Sequence, residues 1–113
     1  MSPSPEERLA AARRSGDRKE EAHALESLGN KCFDGNQTLR YYQEAQAIYQ
    51  SLGDNQGVAR IYVSLGGTYD TYFDDLQMAL KCYKMVLKTD PTYPPYLVES
   101  EIERVKQRIR EQY

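Results

Sequence analysis

The sequence predicts an all-α chain built of antiparallel helix pairs, and three observations predict it. Apolar residues recur at three- and four-residue steps in successive stretches, the spacing of one face of a helix. The chain also repeats itself at an offset of 37 positions, where Gly16, Asp17, Ala22, Ser27, Leu28 and Gly29 match Gly53, Asp54, Ala59, Ser64, Leu65 and Gly66. No stretch alternates with period two and strong β propensity, so no sheet is expected.

Each element follows from its residues. Residues 1–15 hold a short helical piece from Glu6 to Arg14, carrying Leu9. Repeat one is expected over residues 16–52. Asp17 stands where an N-cap belongs, and Glu20 three positions on completes a capping-box pattern. The stripe that follows is Ala22, Leu25, Leu28 and Cys32. Asp34-Gly35-Asn36 reads as a turn. A second stripe runs through Tyr41 or Tyr42, Ala45, Ile48, Tyr49 and Leu52, and Gly53 sits where a left-handed residue closes a helix. Repeat two is expected over residues 53–91. Asp54 opens it, followed by Val58, Ile61 or Tyr62, Leu65 and Tyr69. Asp74 or Asp75 opens the next helix, with Leu76, Ala79, Leu80, Tyr83, Val86 and Leu87. Asp90-Pro91 ends it, because the residue before proline disfavours the α region. Pro94-Pro95 then starts a last helix over 95–112, with Val98, Ile102, Val105 and Ile109 on one seam.

Composition narrows the function. With 113 residues the chain fits one domain. Fifteen basic residues against 17 acidic ones give a net charge of −2, which argues against nucleic-acid partners and anionic lipid held by bulk attraction. The longest apolar run, Leu9 to Ala12, is four residues, so no membrane insertion is expected. The opening MSPSPEER lacks a basic and an apolar region, so a cytoplasmic location is expected. Cys32 and Cys82 form no metal-binding spacing, and both are read as free thiols on apolar stripes. Ten tyrosines and no tryptophan suit half-buried rings with a wet hydroxyl; at helical spacing most are read as core.

These residues resemble the tetratricopeptide repeat (TPR) family. In repeat two, Tyr62, Leu65, Gly66 and Tyr69 fit the first helix of that motif, Ala79, Tyr83 and Val86 the second, and Pro91 its terminal proline. In repeat one, Leu25, Leu28, Gly29 and Cys32 fit the first helix, and Thr38, Tyr42 and Ala45 the second. The resemblance covers roughly residues 16–94. It implies a short right-handed α-solenoid with the 95–112 helix as C-terminal cap, and RLAAARRSGD as the end of a further helix pair. Two spacings depart from the 34-residue motif. Gly29 to Thr38 is about three residues short and Gly66 to Ala79 about one long, which predicts irregular turns within the pairs.

The chemistry-bearing residues point away from catalysis. The single histidine, His23, has no evident nucleophile to serve, so no enzyme activity is expected. Glu20, Glu21 and Glu26 read as a solvated helix face, and Asp70, Asp74 and Asp75 as turn and capping residues with no EF-hand pattern. Gly66-Gly67 lacks the rest of a phosphate loop and suits close helix packing. No cofactor or metal is expected.

The expected function is therefore a protein-interaction module that takes a partner peptide or helix. The resemblance places its groove on the concave first-helix surface. Carried over, the groove residues are His23, Glu26, Ser27, Asn30 and Phe33, with Arg60, Val63, Ser64, Gly67, Asp70 and Thr71. Some family members hold a C-terminal carboxylate through a Lys/Asn/Arg clamp. Asn30 matches one clamp position, but Glu26 and Ser64 replace a lysine and an asparagine, so binding of heat-shock-chaperone tails is not expected. Arg60 as main cation suits a mixed apolar and acidic peptide. Two alternatives stand beside this. One is a self-associating structural unit, pairing as a homo-oligomer through Leu9 or the Val98, Ile102, Val105 and Ile109 seam. The other is a part of a longer TPR protein.

Overall fold

A computed structural model describes residues 2–112. Among them it contains six α-helices and no strand: α1 (Pro5–Ser15), α2 (Arg18–Lys31), α3 (Gly35–Ser51), α4 (Asn55–Phe73), α5 (Leu76–Thr89) and α6 (Pro95–Glu111). The chain divides between Asp54 and Asn55 into two compact units of three helices each.

In the first unit the helix starts are set by side-chain caps. Ser4 Oγ accepts from the Glu7 N–H, Asp17 from the Glu20 N–H, and Asp34 from the Asn36 and Gln37 N–H groups. Pro5 occupies the first turn of α1, where its missing N–H loses nothing. Gly16, at φ 73°, closes α1, a left-handed geometry glycine adopts without steric penalty. The capping box expected at Asp17 is only half made. Glu20 turns its carboxylate to Arg8 at 2.8 Å, while the Asp17 N–H donates to the Ala12 carbonyl.

Helices α2 and α3 run antiparallel. Gly29, late in α2, meets Tyr42, early in α3, whereas Glu26, a turn earlier in α2, meets Tyr49, two turns on. A Cβ on Gly29 would lie 2.6 Å from Tyr42 Cε1, closer than real atoms approach. The glycine is thus the slot into which the tyrosine ring packs. Ala22, Leu25, Leu28, Ala45, Ile48 and Tyr49 are buried in this unit, each large apolar side chain contributing about 1.5–3 kcal/mol.

The second unit repeats the device. A Cβ on Gly66 of α4 would lie 2.6 Å from Tyr83 Cε1 of α5. Asp75 caps α5 at the Met78 N–H. Ala59, Leu76, Ala79, Tyr83, Val86, Val98 and Val105 form one buried cluster, so α6 lies on the α4–α5 pair through its apolar seam. Ile102 and Ile109 complete that seam at the cluster's margin. The residues read as a self-association seam are thus already engaged within the unit.

The spacing departures have a simple origin. Gly66 follows Gly29 by 37 positions, but Tyr83 follows Tyr42 by 41. Helix α4 runs five residues further past its glycine than α2 does, and its connection is one residue shorter. Helix α2 ends two residues after Gly29, at Lys31, while α4 continues to Phe73. Both connections stay short and are capped by aspartate, so helix length absorbs most of the irregularity expected of the turns. What remains is at Asp74, a non-glycine residue at φ 48°.

Candidate functional site

On α2, the margin of the α2–α3 contact carries His23, Glu26, Ser27 and Asn30. All but Asn30 are half-buried, and Asn30 is exposed. Two of them are held by the tyrosines of α3. The Tyr49 hydroxyl donates to Glu26 Oε1 at 2.7 Å, and the Tyr42 hydroxyl to Asn30 Oδ1 at 2.6 Å. The Tyr49 ring also stands 5.8 Å from the His23 ring. Each tyrosine buries its ring and spends its hydroxyl at the margin of this face. His23 Nδ1 lies 3.9 Å from Glu20, which also serves Arg8, so this carboxylate is part of a surface ion pair.

Phe33 does not lie on the helix. α2 ends at Lys31, and Phe33 occupies the connection, 92% exposed. The physical reason is the shortened helix: its counterpart Asp70, 37 positions on, falls within the extra length of α4. Cys32 is likewise corrected. It caps the end of α2 in extended conformation, half-buried, with its thiol 3.6 Å from the Asp34 carbonyl. Only Cys82 is buried, and desolvation pushes its thiol up to about 11. Glu21 is corrected too. It is not part of a solvated face but is buried between Arg18 at 2.7 Å and Arg13 at 3.3 Å.

On α4, the matching face carries Arg60, Val63, Ser64, Gly67, Asp70 and Thr71. Arg60 and Thr71 are exposed and the other four half-buried. Gly67 stands where repeat one has Asn30, and it offers no side chain to the tyrosine above it. The Tyr83 hydroxyl is met instead by Arg104 of α6. Burial, with Glu101 nearby, raises this phenol to about 12. Arg104 also pairs with Asp70 at 2.8 Å and Glu101 at 2.6 Å, hydrogen bonds that hold its charge more firmly than usual. Arg108 closes on the same Asp70 carboxylate and reaches Asp74 at 3.2 Å. Asp70 is therefore a strut between α4 and α6, with its side chain only 9% exposed. A sequence reading misses this because the partners lie 34 and 38 positions away.

Among the described residues, no group of three or more His, Cys, Asp or Glu side chains is arranged to hold a metal ion. Among the described residues, no helix is long and apolar enough to cross a membrane. Comparisons with family models, with curated proteins and with solved structures find no match.

Proposed function

We propose that the chain is a TPR-like protein-interaction module, a short α-solenoid that takes a partner peptide or helix on the outward faces of α2 and α4. The observation that carries the reading is the twice-made glycine–tyrosine lock, Gly29 with Tyr42 and Gly66 with Tyr83. The same close-packed pair made twice is the build of repeat proteins that present side chains rather than perform chemistry. Each lock leaves a half-buried face on its first helix. Ser27 and Ser64 hold equivalent places there, beside Glu26 and Asn30 in one repeat and Val63 and Gly67 in the other. Those faces offer a few fixed polar groups among small and apolar ones, which suits side-chain recognition along a peptide. Asp70 is excluded from the contact set, because Arg104 and Arg108 already hold it.

The test is selection of a random peptide library displayed on phage against the full chain. Enriched peptides are then mapped by amide chemical shifts. The expected result is perturbation centred on residues 23–30 and 60–67, lost in Ser27→Arg and Ser64→Arg variants that keep native circular dichroism. Absence of enrichment, or shifts confined to other helices, would overturn the reading.

A further inference from the structure

A different face of the chain carries an unspent charge. α5 contains three lysines, Lys81, Lys84 and Lys88, and no acidic residue. All three are exposed, and none forms an ion pair among the described residues. By contrast Arg8, Arg13, Arg18, Lys31, Arg104 and Arg108 each meet a carboxylate. The lysines stand three and four positions apart, so they form a stripe along two turns, about 10 Å at 1.5 Å per residue. Beside them Met78, Leu80 and Met85 are half-buried, and together with Gln77 these side chains line a shallow depression of about 520 Å³. The cations account for nothing in the packing of α5, whose buried side is Leu76, Ala79, Cys82, Tyr83 and Val86.

We propose that this outward face of α5 is a docking surface for an acidic amphipathic helix of a partner protein. Carboxylates at three- and four-residue spacing on such a helix would meet the lysine stripe, and its apolar residues would cover Met78 and Met85. Methionine suits such a contact because its unbranched chain adapts to different partners. Charge complementarity picks this occupant. A phosphate backbone finds only three cations here and no aromatic ring to stack on, on a chain of net charge −2. The surface is separate from the α2 and α4 faces, so it stands or falls apart from the groove reading.

The test uses the full chain and a designed fluorescent helical peptide of about 18 residues. The peptide carries glutamates at three- and four-residue spacing beside leucines. A control peptide replaces the glutamates with glutamine. Anisotropy gives affinity and amide shifts give location. Binding to the acidic peptide is expected, with shifts centred on residues 77–88. Affinity should drop about tenfold or more in a Lys81→Gln, Lys84→Gln, Lys88→Gln variant. A Met78→Ser, Met85→Ser variant, with its charges intact, should weaken binding as well. Equal binding of the control peptide, shifts outside α5, or no binding would overturn the proposal. So would tighter binding of single-stranded DNA or of phosphatidylserine vesicles than of the peptide.

Discussion

The α2–α3 and α4–α5 pairs share one lock and differ in what surrounds it. In the first pair the Tyr42 hydroxyl is taken by Asn30, a residue of the same helix that supplies the glycine. In the second pair Gly67 replaces that asparagine, and Arg104 of a third helix meets the Tyr83 hydroxyl. The Tyr42 hydroxyl thus finds a partner inside its own helix pair, and the Tyr83 hydroxyl finds one on α6. The longer α4 makes this possible. Its extra length carries Asp70, the carboxylate that anchors Arg104 and Arg108. A few added residues at one helix end have recruited a neighbouring helix.

The comparison can be broken most severely at the rings. Tyr42→Ala and Tyr83→Ala should each destabilise the fold by about 3–5 kcal/mol in urea unfolding, because each leaves a ring-sized cavity. Equal losses would mean that the α6 contacts add nothing to the second lock; the larger loss is expected for Tyr83. Filling the slots is the next test. Gly29→Ala and Gly66→Ala gain helix propensity but drive a Cβ to 2.6 Å from a ring. Each should cost about 1–3 kcal/mol net, and a stabilised variant would show that the rings can move aside.

Asp70→Asn sharpens the difference between the pairs. It should cost about 1–2 kcal/mol, discounted because Arg104 and Arg108 are partly exposed. Amide exchange should quicken in α6 while α2 and α3 are unchanged. Uniform acceleration across the chain would remove Asp70 as the specific tie. The smallest effect is an alkaline pH dependence in the second unit. Desolvation pushes the buried Cys82 thiol up to about 11 in the fold, from an ordinary value of 9. A raised folded value means that the unfolded chain loses its proton first. Stability is then intact below pH 9 and falls as pH rises towards 11, by about 1 kcal/mol at pH 10. Cys82→Ala should flatten that segment of the profile, and an unchanged slope would assign it to Tyr83 and other phenols.

Much of this architecture was legible. The six helices follow from period and caps, because Asp17, Asp34, Asp75, Gly16, Gly53 and Pro95 are local signals acting on their own neighbours. Gly29, Gly66, Tyr42 and Tyr83 were legible as helix residues of the repeat, but that each tyrosine ring fills its glycine's slot is seen only in the fold. What escaped were the places where tertiary partners decide. Glu21 looked solvated because Arg13 is eight positions away on another helix. The resemblance places Phe33 on the first helix, and nothing in its own neighbourhood marks the end of α2 at Lys31. Asp70 looked like a groove or turn residue because nothing local marks Arg104 and Arg108 as its partners. The lysine stripe of α5 was visible as letters, but only the ion-pair pattern of the fold showed that it is unspent.

The short connections carry a kinetic consequence. The two locks join residues only 13 and 17 positions apart, across links of three and two residues. Loops of about ten residues close in roughly 10–100 ns, so neither ring need wait for a distant segment before finding its slot. Each hairpin can therefore serve as its own nucleus, and a chain dominated by such local contacts is expected to fold in microseconds to milliseconds. The slow step would then be the arrival of α6, whose arginines must travel back 34 and 38 positions to reach Asp70.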